Sequence, residues 1–513
     1  MALLRRPTIV DCRILQKMRF MTVLLPVWLI ACPGECRTVY GFDLNARCQR
    51  AYAALNHLRL QEGEQLLEAE KRENPSNLFP YFLDNYVDFF ELFFGEDPEE
   101  YDQRKDNLDK RLEWMRRGPS SSPFYLFTQS IIRFQWAAVD IKFEAHWQAG
   151  WEFRQAFLET KQNQEHFPKF SPSAMLGGAL EVSVGTIPEG YRWLASLMGM
   201  RGSIHHGMHR LEAFLGQADS LAQLFRDEAS FYFLYLQFHI ENRRKEVFRY
   251  IQDNHLDLVN NELLAYLAVN LGVNDEQCAY ARDICLKRSQ SAAFYNLPQW
   301  DLEMGTIELD HLDPDGAVYL YRFTRQFKGK FYLKEVFQKL SWLYYLTGDQ
   351  ARAESFRRRI LESGSTATES DKDALQEARS GQWPDKTLLR ARLLNDGGYL
   401  QEALAQLQTK KMGDFTRPEE RTEYAYRLGR IYDDLGRKVD ALSAYLTTIK
   451  LGDRQKQYFA ARAALQMGCI YEERKDTIMA LSYFRKCLSL KDHEYKNSLD
   501  QKAKAGIARC VGD

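Results

Sequence analysis

Proline and glycine are scarce in this chain, 15 and 30 of 513 residues, which argues against an all-β architecture full of tight turns. Neither sign of charge is in surplus: 69 Lys and Arg face 70 Asp and Glu, for a net charge of −1. Without a basic field the chain lacks the electrostatic footprint of nucleic-acid binding, so no nucleic-acid partner is expected. The nine cysteines form no paired framework. Cys278 and Cys285 would share a helix face two turns apart, too far to bridge, and the remaining helical cysteines read mostly as core thiols. Signatures of phosphate binding and acyl transfer are missing as well. Met198-Gly199-Met200-Arg201-Gly202-Ser203 has neither the spacing nor the lysine of a Walker-type loop, and no Gly-x-Ser-x-Gly elbow occurs. No cofactor is expected.

What remains is a folded, helix-rich chain. Hydrophobic residues make up 45% and charged residues 27%, a balance that suits packed structure rather than disorder. A length of 513 residues exceeds one ordinary core and leaves either several domains or a solenoid.

The sequence favours the solenoid, because it repeats. Leu428-Gly429-x-x-Tyr432, Ala441-Leu442 and Tyr445 recur as Met467-Gly468-x-x-Tyr471, Ala480-Leu481 and Phe484, every landmark 39 residues on. A fixed period of this size with small residues at set points is the signature of stacked helical hairpins. Two earlier units are marked by Leu340, Tyr344, Gly348 and Ala353, and by Leu394, Gly398, Ala403 and Leu407. Gly63, Leu67 and Pro75 mark the second helix of another near the N-terminus. Four sections follow: a leader over 1–40, helical hairpins over 41–170, an irregular central helical region over 171–330, and a repeat array over 331–513. Gly177, Gly178, Gly185, Pro188, Gly190, Gly199 and Gly202 interrupt the central region.

These landmarks resemble the tetratricopeptide repeat, whose unit is about 34 residues. The resemblance implies an all-α superhelix of hairpins that binds protein or peptide partners. Small residues let paired helices approach, and aromatics fill the space between neighbouring hairpins. A weaker likeness covers Leu176-Gly177-Gly178-Ala179-Leu180, Ile187 to Leu194 and Met198 to Gly202. It resembles the central segment of the fungal inclusion-body-clearance proteins and their animal tetratricopeptide relatives, which are without known enzymatic chemistry. The overall pattern also resembles exported tetratricopeptide proteins of Gram-negative bacteria.

The N-terminus reads as an export signal. Arg5, Arg6, Arg13, Lys17 and Arg19 precede an apolar run from Met21 to Cys32, short of the roughly 20 residues that span a bilayer. Met18 is an alternative start. Two kinds of processing stay open. Leu29-Ile30-Ala31-Cys32 resembles a lipobox, which would attach lipid to Cys32 and associate the protein with a membrane as an outer-membrane lipoprotein. Simple cleavage between Cys32 and about Phe42 would instead release it. Either way the expected location is the periplasm or cell envelope.

One cluster invites a test for catalysis. His205 and His209 stand at i and i+4 with Glu212 one turn beyond, a spacing that binds zinc in metal-dependent hydrolases. The metalloprotease Glu after His205 is absent, and Gly207 weakens the helix, so the favoured reading is a polar helix start and a non-enzymatic protein. Binding is the better-supported role. In a tetratricopeptide array, positions two, five, nine and twelve of each first helix line the concave groove. By that count Trp342, Tyr345, Arg392, Asn395, Tyr426, Arg430, Asp433 and Arg462 face the groove as partner-binding candidates. The alternative is that these residues only cover the groove or pack against the central region.

Overall fold

The computed structural model describes residues 39–187 and 195–511. Among the described residues lie 26 α-helices and no strand, with one isolated β-bridge between Gly41 and Asn77. The all-α solenoid expected from the repeat is what the structure shows. Consecutive helices joined by short turns pair with each other: Ala46–Asn56 with Leu60–Glu73, Phe124–Lys142 with His146–His166, and Glu262–Val273 with Cys278–Lys287. The pairing continues with Gln299–Asp310 and Gly316–Gln326, Leu333–Thr347 and Gln350–Glu362, and Lys386–Asp396 and Leu400–Gln408. Pro418–Asp434 with Lys438–Gly452 and Phe459–Glu473 with Thr477–Ser489 complete the series, and Lys496–Val511 packs on the last hairpin. First helices of neighbouring hairpins also touch, so each unit buries the face its neighbour leaves open.

One backbone device closes these hairpins. Leu58, Glu144, Glu276, Leu312, Gly348, Gly398, Gly436 and Lys475 all have positive φ, between 58° and 92°. In each case the next N–H donates to a carbonyl one turn back: Arg59 to Ala54, Ala145 to Asp140, Gln277 to Gly272, Asp313 to Glu308, Asp349 to Tyr344, Tyr399 to Leu394, Arg437 to Tyr432, and Asp476 to Tyr471. This is the Schellman cap, which satisfies carbonyls the helix end would orphan and reverses the chain. The following helix is often capped by an Asp: Asp349 accepts from the Arg352 N–H at 3.0 Å and Asp476 from the Met479 N–H at 3.1 Å.

The Gly-rich central stretch serves close packing. A Cβ on Gly178 would lie 2.8 Å from the Gly207 carbonyl oxygen, and one on Gly207 would lie 2.6 Å from that of Gly178. Pro172–Gly185 and Ile204–Leu215 therefore cross with their backbones nearly in contact. Residues 188–194, in the middle of the inclusion-body-type motif, lie outside the described residues.

The superhelix also folds back on itself. The Tyr295 N–H donates to the Leu58 carbonyl at 2.7 Å, and Gln299 Nε2 donates to the Phe94 carbonyl at 2.7 Å. One hydrophobic cluster extends from Cys48 to Ile307, and smaller ones follow through the C-terminal repeats. The first helices face the space these contacts enclose.

Candidate functional site

That space is a cavity of about 690 Å³, within the roughly 300–1,000 Å³ typical of ligand sites. Its walls are mainly the helices Phe79–Gly95, Phe124–Lys142, Arg226–His239, Glu262–Val273, Gln299–Asp310, Leu333–Thr347 and Lys386–Asp396, with smaller contributions from Ala46–Asn56, Pro172–Gly185 and Glu369–Ser380. Phe79–Gly95 is aromatic on several faces, with Asp84, Asp88 and Glu91 on the remaining one paired to Lys71, Arg104 and Arg111. Phe79, Phe82, Tyr86, Phe90 and Phe94 are buried, while Phe89 and Phe93 border the cavity with only partial burial.

The lining combines aromatic rings with ionisable groups. Phe134, Tyr232, Tyr235, Tyr266 and Tyr332 join Phe89 and Phe93 among the rings. Glu228 anchors three tyrosines beneath them, accepting from the hydroxyls of Tyr52 at 2.6 Å, Tyr86 at 2.9 Å and Tyr232 at 2.6 Å. Burial raises the Glu228 carboxyl, and those hydrogen bonds oppose the rise.

The ionisable lining includes Glu303, Asp310, Glu335, Lys339, Arg392 and Asp396. Its cations are already engaged. Lys339 Nζ donates to Glu335 at 2.7 Å. Burial disfavours both charges, but their mutual attraction prevails and keeps Glu335 below and Lys339 above its usual range. Arg392 lies 3.5 Å from Asp396 and 5.0 Å from the Trp342 ring. A third cation, Lys142, donates to Glu96 at 2.7 Å and faces Phe331 at 4.6 Å.

Glu303 and Asp310 differ from these pairs. Burial pushes Glu303 up to about 7, and its hydrogen-bond partner is Asn270, whose Nδ2 donates at 2.8 Å. Asp310 is pushed by burial to about 8, against the pull of Lys339, and its only bonded neighbour among the described residues is the Cys278 thiol at 3.9 Å. Such a site is chemically suited to binding a cation or a strong hydrogen-bond donor.

The groove positions counted from the sequence meet different fates. Trp342 and Arg392 both border the cavity, and Trp342 Nε1 donates to Glu377 at 2.6 Å. Most of the others are engaged by contacts within or between repeats. Tyr345 stacks on Trp383 at 4.5 Å, Asn395 donates to Asp434 at 2.9 Å, and buried Tyr426 packs on Phe459 at 5.2 Å. Arg430 bonds Asp396 at 2.8 Å and also Glu276, and Asp433 accepts from Lys438 at 2.5 Å. Arg462 is half-buried in Phe459–Glu473.

His205, His209 and Glu212 are exposed on Ile204–Leu215, and among the described residues no three His, Cys, Asp or Glu side chains are grouped to hold a metal ion. Gly207 between the histidines is explained by its contact with Gly178. Cys32 lies outside the described residues.

Sequence reasoning missed Glu303 and Asp310, although a signal was present. Aligning Met304-Gly305 with Met467-Gly468 places Gln299, Leu302 and Thr306 at groove positions, and all three line the cavity beside the two carboxyls.

The tetratricopeptide repeat family model matches residues 461–493, the hairpin of Phe459–Glu473 and Thr477–Ser489. No curated protein matches the chain in sequence. The repeat match, together with the all-helical architecture, supports a tetratricopeptide-type repeat protein.

Proposed function

We propose that this chain is an exported, non-enzymatic scaffold of the cell envelope that holds a segment of a partner protein against the concave face of its repeats. The observation that supports this reading is the cavity lined by the first helices of several hairpins, with aromatics and buried carboxyls in its wall. Buried aromatics beside desolvated polar groups are the usual makings of a binding hot spot. Export is inferred from the basic leader and short apolar run before Cys32.

Crosslinking in intact cells, followed by fractionation, tests both halves of the reading. Tyr235→Ala and Arg392→Ala remove cavity-lining side chains and should abolish the crosslinked partner. Ile478→Ala, at an 83% exposed position outside the cavity, should leave it in place. Retention of every partner by both cavity variants overturns the scaffold reading. Recovery of the protein in the cytoplasm overturns export, and the intact mass of the mature chain decides between lipid on Cys32 and plain cleavage.

A further inference from the structure

Glu303 and Asp310 are seven residues apart in Gln299–Asp310, so they share one helix face two turns apart. Both are more than nine-tenths buried, with 5% and 7% of their surface exposed, yet both border the cavity. Among the described residues no Lys, Arg or His lies within ion-pair distance of either. Lys339, Arg392 and Lys142 are paired with Glu335, Asp396 and Glu96. Glu303 uses one oxygen for Asn270, and Asp310 has nothing better than a long thiol contact. Burying a carboxyl with so few partners is costly unless something arrives to satisfy it.

The rings nearby narrow down what could arrive. Tyr266 and Tyr332 line the same cavity as Glu303 and Asp310. Tyr235, Phe89 and Phe93 add further aromatic surface to the same cavity. An ammonium group is attracted both by carboxylates and by the faces of aromatic rings, and the aromatic surface suits an apolar body. An anion would meet six carboxyl-bearing side chains, with each nearby cation already occupied.

We infer that the cavity is a recognition site for an organic cation, an ammonium group on an apolar stem, with the charge at Glu303 and Asp310 and the stem along Tyr235, Tyr266 and Phe89. This rests on the reading of the concave face as the binding face and adds what that face recognises. Two sources carry the same chemistry: a free amphiphilic amine, or a lysine side chain presented by a partner segment.

Calorimetry on the full chain separates the possibilities. Phenylhexylammonium should bind, the matching alcohol about tenfold more weakly and the matching carboxylate more weakly still. Glu303→Gln and Asp310→Asn should each weaken the ammonium about tenfold and leave the alcohol unchanged. Equal binding of ammonium and alcohol by the native protein overturns the inference, and that comparison decides the matter even where a variant fails to fold. An alanine-flanked lysine peptide that binds better than the amine, and better than its norleucine counterpart, identifies a partner's lysine as the source. Binding of the amine but not the peptide identifies a free amine. If neither binds, the assignment is wrong, while a partner captured by crosslinking would still leave the scaffold reading intact.

Discussion

A Cβ on Gly468 would sit 2.5 Å from Cδ1 of Phe484, and one on Gly506, in the helix after that of Phe484, would sit 2.5 Å from Cζ of the same ring. Phe484 is thus packed against glycines of the helices before and after its own, and Gly429 stands in the same relation to Tyr445 at 2.5 Å. The 39-residue echo in the sequence is this contact repeated: one helix offers a slot and its partner fills it with a ring. Alanine at Gly468 would gain about 1 kcal/mol of helix propensity and lose about 1–3 kcal/mol to overpacking against a fully buried ring. The expected net loss is about 1 kcal/mol. Solenoids can open locally, so native-state hydrogen exchange over Phe459–Glu473 is the proper measurement. Adding Phe484→Leu should shrink the penalty of the alanine, and a stabilising Gly468→Ala would refute the slot.

Arg430 ties three hairpins together through Asp396 and Glu276, the latter 154 residues away in sequence. Glu276 and Asp396 keep about a third of their side-chain surface in water, so full burial costs do not apply. Arg430→Met should cost about 2 kcal/mol, measured by urea unfolding, because it leaves Glu276 without a cation and Asp396 with only the longer 3.5 Å contact to Arg392. Glu276→Gln, which leaves the pair with Asp396, should cost about 1 kcal/mol. Equal losses from the two variants would show that Asp396 contributes nothing to the junction.

Stability should fall as pH rises from about 5 to 8, and part of that slope belongs to the cavity. In the folded chain Glu303 titrates near 7 and Asp310 near 8, both raised by burial above their ordinary 4.5 and 3.8. A raised folded value means the native state holds protons that the unfolded chain has released. Stability from these groups is therefore complete below about pH 4 and is lost as pH climbs through 7 and 8. Glu303→Gln should remove roughly 2–3 kcal/mol, and Asp310→Asn roughly 3–4 kcal/mol, of the difference between pH 5 and pH 8. Thermal unfolding across that range checks it, and a slope unchanged in both variants would contradict the burial of these charges.

The helical periodicity, the C-terminal repeats and the aromatic helix Phe79–Gly95 were legible because each is a local pattern. The cavity was not, since it joins Phe89 to Glu303 and Arg392 through folding-back contacts such as Tyr295 to Leu58, and no local pattern encodes them. Tyr426 and Arg430, counted as groove positions, lie on Pro418–Asp434, and no count along the chain could show that neighbouring hairpins engage them. The central hairpins escaped notice for a more specific reason. At the turn where the C-terminal repeats carry Gly348, Gly398 and Gly436, the central ones carry Glu276 and Leu312 in the same left-handed conformation. The backbone keeps the motif that the consensus letters have lost.

The same turn yields the last prediction. Lys475, with φ of 60°, takes the place that Gly436 fills one repeat earlier, and its side chain is exposed and bonded to nothing in the turn. A left-handed conformation costs a residue with a Cβ about 1 kcal/mol, and glycine avoids it. Glycine's extra freedom in the unfolded chain takes back about half. Lys475→Gly should therefore stabilise the final hairpin by about 0.5 kcal/mol, whereas Gly436→Lys should destabilise its own by a similar amount. Hydrogen exchange of the Asp476 and Arg437 amides, which close the two caps on Tyr471 and Tyr432, reads each effect where it arises. Faster exchange at Asp476 in Lys475→Gly would mean that the lysine is held in this conformation by contacts worth more than the strain.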